Sequence, residues 1–165
     1  MTDSEAYWES AQDGAELVGE GEPEQALQLL GELVAREPDN EYAYFWMGAA
    51  YYELEQYDHA LKAYLTALKI KPNYVGAMVH VGHSLRMMGR YTEAIRMAQQ
   101  VLLRAKDDSD ALFLIGAASF ALGEDAPARQ YLERFLHTNP ELEVAHEVRG
   151  MLELIIARTG GDQDD

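Results

Sequence analysis

His80, His83 and Arg86 follow one another at intervals of three residues, the spacing that places side chains on one face of a helix. Two imidazoles so placed can contribute to a metal site, and a guanidinium beside them can pair with an acid. A structural Zn²⁺ site normally takes four ligands, and this face does not supply them. The chain has no cysteine, no acid sits at helical spacing beside the histidines, and Asp110 is the one further ligand in view. The expectation is therefore no metal, and a polar patch whose protonation responds to pH. His146 and Glu147 open a zinc-protease pattern, but position 150 is glycine and the pattern fails. No phosphate-binding loop, dinucleotide fingerprint or nucleophile elbow occurs. The chain is expected to be non-enzymatic and free of cofactors.

The elements that would carry these residues repeat. Glycine recurs as Gly14, Gly48, Gly82, Gly116 and Gly150, and alanine as Ala26, Ala60, Ala94 and Ala128, at a period of 34. Each copy reads as two amphipathic helices joined by a short polar turn, most clearly in YFWMGAAYYELEQYDHALKAYLTALKIKP, residues 44–72. A fixed period of this length is the mark of a helical repeat array. Glycine within a helix costs roughly 0.5–1 kcal/mol relative to alanine, so its recurrence needs a packing reason. Small residues on both helices of a pair allow close approach. Pro38, Pro72 and Pro140 stand where second helices should stop.

This pattern resembles the tetratricopeptide repeat family over about residues 7–158. The resemblance implies an all-α fold: a right-handed superhelical solenoid of about four helix pairs with a C-terminal capping helix. The expected layout is a frayed N-terminus at 1–4 and a single domain over 5–158. The repeats are placed at about 7–40, 41–74, 75–108 and 109–142, the capping helix at 142–158, and a disordered acidic tail at 159–165. His146, Arg149 and Glu153 are polar where a fifth repeat would dock, as suits a helix that closes an array.

In that family the first helices of successive pairs line a concave groove. The corresponding face here carries Trp8 and Gln12, then Tyr42, Phe45, Trp46, Ala49 and Tyr52, then Val79, His80, His83 and Arg86, then Phe113, Leu114, Ala117 and Phe120. Core duty in the second copy is assigned to Tyr44, Met47 and Tyr51, which leaves Phe45, Trp46 and Tyr52 as surplus. Clustered surplus aromatics mark an interaction surface, and Ala11, Ala15, Ala49 and Ala117 are expected to leave pockets between them. A clamp for an acidic C-terminus needs lysine, arginine and asparagine, whereas the matching places hold Gln12, Trp46 and His80. The expected ligand is thus a protein or peptide segment with apolar anchors.

Charge points the same way. The chain carries a net −16, of which residues 1–41 contribute −11, residues 42–110 contribute +1 and residues 111–165 contribute −6. Acidic ends repel nucleic acid and anionic membranes, and basic flanks on a partner would complement them. MTDSEAYWES has neither the basic leader nor the apolar core of a signal peptide, and no apolar run suggests membrane insertion. A cytoplasmic location is expected. By size, acidity, aromatic groove and the terminal stretch VAHEVRGMLELIIAR, the chain is also similar to the class II chaperones of bacterial type III secretion. That similarity implies masking of an apolar client. The alternatives are an adaptor or scaffold that assembles a complex, and a homo-oligomer that associates through its repeats.

Overall fold

The computed structural model describes residues 2–160. Among them it contains helices and no strand: α1 Asp3–Gly19, α2 Pro23–Arg36, α3 Glu41–Glu53, α4 Tyr57–Ile70, α5 Val75–Met87, α6 Tyr91–Leu102, α7 Ser109–Leu122, α8 Asp125–Leu136 and α9 Leu142–Gly160. The contacts divide the chain into two compact units, Met1–Met88 and Gly89–Asp165, where the sequence suggested one domain. The division falls between α5 and α6, inside the third sequence repeat.

The N-terminus departs from expectation. Asp3 and Ser4 are helical, because Thr2 caps α1 with a reciprocal box: Glu5 N donates to Thr2 Oγ1, and Thr2 N donates to Glu5 Oε2. The box gives the Thr2 amide a partner and adds a side-chain acceptor to the Glu5 amide, which also reaches Thr2 O at 3.1 Å. At the other end, positions 159 and 160 continue α9 and are not part of a tail. The remainder of the expected tail, 161–165, lies outside the described residues.

In the first unit the glycine period has a direct packing cause. A Cβ on Gly48 would lie 2.6 Å from Tyr64 Cε1, and one on Gly14 would collide with the Leu30 side chain. The partner stands sixteen residues on in both pairs, and again in the second unit, where Gly116 faces Leu132 Cδ2 at 2.6 Å. Gly150 has nothing within 4 Å of its would-be Cβ, so on α9 the period continues without the close approach.

Turns share the period. Gly21, Glu55, Gly89 and Gly123 all have positive φ, at 76°, 57°, 73° and 75°. This left-handed residue closes each first helix, and glycine adopts it without steric cost. The second copy uses Glu55 instead.

Asn40 links helices in the first unit. Its side chain is fully buried; Oδ1 accepts from Ala43 N at 3.0 Å to cap α3, while Nδ2 donates to Tyr7 O at 3.0 Å and to Glu37 Oε2 at 2.7 Å. In the second unit Asp108 caps α7 through Ala111 N, and Leu112, Ala128, Leu132, Phe135, Val148 and Ile155 form the core. His146, Arg149 and Glu153 on α9 are exposed.

Candidate peptide-binding surface

The aromatic residues of α3 separate into two groups. Phe45 is only 9% exposed, with ring centroids 5.1 Å from Trp46, 5.6 Å from Tyr64, 5.1 Å from Tyr74 and 5.3 Å from His80. It joins α3 to α4 and α5, so its assignment as surplus is corrected: Phe45 is core. Conversely Tyr44, Met47 and Tyr51, expected to fill the core, are only half-buried, and Tyr51 stacks on His59. The buried residues of α3 are Glu41, Ala43, Phe45, Gly48 and Ala50. The helix turns small residues and one phenylalanine inward and leaves larger rings at its margins.

Tyr42, Trp46, Ala49 and Tyr52 are half-buried on α3, and on α1 Trp8 is 45% exposed and Gln12 is exposed. Trp8 meets Tyr42 edge to face, with centroids 5.4 Å apart, and Tyr52 meets Tyr57 in the same way. Gln12 Nε2 donates to Glu16 Oε1 at 3.2 Å. Trp46 Nε1 is buried and has no hydrogen-bond partner among the described residues. A buried donor left unpaired costs about 1–3 kcal/mol.

Beneath these rings lies Tyr64. It is fully buried against Gly48, stacks on His80 with centroids 5.2 Å apart, and its hydroxyl also lacks a partner. Burial, with Tyr52, Glu53 and Tyr74 nearby, pushes its pKa well above the phenolic value. His80 and His83 lie together, with centroids 6.1 Å apart. Burial holds His83 down to about 4, reinforced by His80 and Arg86, so this imidazole is neutral at neutral pH. The first cause is desolvation of the charged form. Burial raises the pKa of Tyr52, which Arg86 partly offsets. Val79 is buried; it is part of the packing and not of a free surface. No three His, Asp or Glu residues among those described are grouped to hold a metal.

Sequence reasoning missed a second contributor, Lys71. Its Nζ donates to Tyr42 Oη at 3.2 Å and to Glu41 Oε1 at 3.4 Å, and it lies over the Tyr42 and Tyr74 rings at 5.1 and 5.5 Å. The bond to Tyr42 raises the lysine pKa. Ser4 Oγ, 3.1 Å from Tyr42 Oη, brings the start of α1 into the same cluster. The side chains lie far apart along the chain, so helical spacing did not signal them.

On α7, in the second unit, Leu114 and Ala117 are buried, which removes them from the candidate surface; Ala11 in the first unit is likewise buried and opens no pocket. Phe113 packs on Phe135 with centroids 5.4 Å apart. Arg158 of α9 covers Phe120, its guanidinium 4.7 Å from the ring centroid, while its Nη2 lies 3.0 Å from Asp125 Oδ1. Both phenylalanines are half-buried and make these contacts with part of their surface.

Two tetratricopeptide repeat models match the sequence, over residues 17–79 and 82–143. The chain belongs to the tetratricopeptide repeat family. Human tetratricopeptide repeat protein 28 is 30% identical over 114 residues, 69% of this chain and 4% of that one. Mouse superkiller complex protein 3 is 26% identical over 138 residues, 79% of this chain and 9% of that one. The chain thus spans less than a tenth of either curated relative. Among solved structures, a fragment of MamA from Desulfovibrio magneticus RS-1 superposes with a TM-score of 0.80 at 23% identity, covering 97% of this chain and 88% of that one. The second such domain of human RPAP3, solved with an HSP70 peptide SGPTIEEVD, gives 0.65 at 21% identity, covering 70% and 98%. These similarities establish an all-α tetratricopeptide repeat solenoid, a fold that serves as a protein–protein interaction module. No helix among the described residues is long and apolar enough to cross a membrane.

Proposed function

We propose that the first unit binds an extended or helical segment of a partner protein through the half-exposed aromatics of α1 and α3. The observation that carries this reading is the split among those aromatics. Phe45 and Tyr64 are consumed by packing, while Trp8, Tyr42, Trp46 and Tyr52 keep accessible surface next to the unpaired Trp46 indole. Tyrosine and tryptophan in such positions supply most of the energy at protein interfaces. Apolar anchors on the ligand would cover the exposed parts of these rings. His80, His83 and Arg86 give that surface a polar border.

A displayed peptide library panned on the full chain, followed by calorimetry on the selected peptides, tests this. Trp46→Ala and Tyr52→Ala should each weaken binding by about tenfold or more. Undiminished binding by a folded double variant would remove α3 from the interface. The role of the complex follows from its client. A client insoluble alone and soluble with this chain marks a chaperone; a client soluble by itself marks an adaptor. Mass that rises with concentration in the absence of any client would favour self-association.

A further inference from the structure

An open cleft of about 550 Å³ lies where α1 begins, lined by Thr2, Ser4, Glu5, Trp8, Glu9 and Tyr42. A second, of about 310 Å³, shares Ser4 and is bordered by Asp3, Asp39, Glu41 and Lys71. Together the two clefts are bordered by five carboxylates and one lysine. Lys71 is already committed to Glu41 and Tyr42, and Glu5 is committed to the cap of α1. Glu9 has no such tie and is exposed, next in sequence to the most exposed aromatic of the unit.

We infer that the Trp8–Tyr42 cleft is a subsite for a lysine or arginine side chain of the bound segment. The inference rests on the interaction reading above and adds the chemistry of one anchor. Two features select this occupant. The first is charge: residues 1–41 carry a net −11, so an incoming cation is attracted and an anion repelled. The second is the ring pair, because indole and phenol faces attract cations, tryptophan best. A purely apolar side chain would cover Trp8 but leave the Glu9 carboxylate without a partner at the rim.

The test uses the full chain and an acetylated, amidated pentapeptide with two arginines, against the same peptide with citrulline, which keeps the shape and removes the charge. The chain has two tryptophans, so their indole N–H resonances report separately on Trp8 and Trp46 once Trp46→Phe assigns them. The arginine peptide should move the Trp8 resonance and leave that of Trp46 in place. Citrulline should weaken the effect by about fivefold, Glu9→Gln by about threefold, and raised salt should weaken it further. Equal response to both peptides, an unmoved Trp8 resonance at millimolar peptide, or full binding by Glu9→Gln would each overturn the inference. If library peptides bind normally while Trp8 ignores arginine, this subsite falls and the α3 interface stands. If arginine binds at Trp8 while no library peptide binds, the subsite stands and the wider interface falls.

Discussion

Gly48 of α3 and Tyr64 of α4 are in such close contact that a methyl group on the glycine would sit 2.6–2.8 Å from three atoms of the ring. An aromatic ring cannot bend aside, so Gly48→Ala must separate the helices or turn Tyr64. Overpacking of this kind costs about 1–3 kcal/mol, more than the helix-propensity gain of roughly 1 kcal/mol. Gly48→Ala is therefore expected to destabilise the protein in denaturant unfolding. Gly150→Ala, with open space at the same repeat position on α9, should stabilise by about 0.5–1 kcal/mol. If both variants shift the midpoint the same way, the glycine period does not mark close packing.

Tyr64→Phe keeps the ring on Gly48 and removes a buried hydroxyl that has no partner. Since an unpaired buried polar group is a liability of about 1–3 kcal/mol, the variant should be at least as stable as the wild type. A clear loss of thermal stability would mean that the hydroxyl is satisfied in solution.

Glu55 occupies the left-handed turn position that glycine fills at 21, 89 and 123. A side chain there is strained by roughly 1–2 kcal/mol, part of which glycine's greater freedom in the unfolded chain cancels. Glu55→Gly should raise stability by about 1 kcal/mol, seen as a higher unfolding midpoint. An unchanged or lower midpoint would show that the Glu55 side chain has a compensating role.

Asn40 satisfies three groups at once, the Ala43 amide, the Tyr7 carbonyl and the Glu37 carboxylate. Asn40→Ala removes the cap of α3 and the tie from α3 to the Tyr7 carbonyl of α1, at an expected cost of about 1–2 kcal/mol. Hydrogen exchange should rise first at the start of α3, including Ala43. Exchange that rises uniformly, or not at all, would deny the local role.

His83 gives the fold an acid sensitivity. Its pKa in the folded chain is lowered from 6.5 to about 4, so the unfolded chain binds this proton more tightly. Its contribution is fully present above pH 6.5, declines as pH falls and is gone below about 4, amounting to at most about 3 kcal/mol. Between pH 7 and 4 the wild type should lose more stability than His83→Gln does. Parallel pH profiles would place the sensitivity elsewhere.

Helices and their register were legible because both are local. The period of Gly14, Gly48 and Gly116 and the placement of Pro23, Pro38 and Pro72 fix where the chain coils and where it stops, through backbone sterics that neighbouring residues dictate. The start of α1 was legible too, because Thr2 and Glu5 stand at the Thr-x-x-Glu spacing of a capping box, which the structure forms. Candidate surface residues were legible as a face of a helix, but not as exposed or covered. Phe45 and Trp46 are adjacent on α3, yet Phe45 is enclosed by Tyr64, Tyr74 and His80 while Trp46 stays half-open. Which ring is covered depends on the helices packed against it, and that information is spread over residues far apart in the chain. The sequence alone determined the helices, their repeat and the small residues at their crossings. The tertiary structure decided which aromatics hold the helices together and which keep exposed surface, because burial belongs to the packed assembly and not to any one helix.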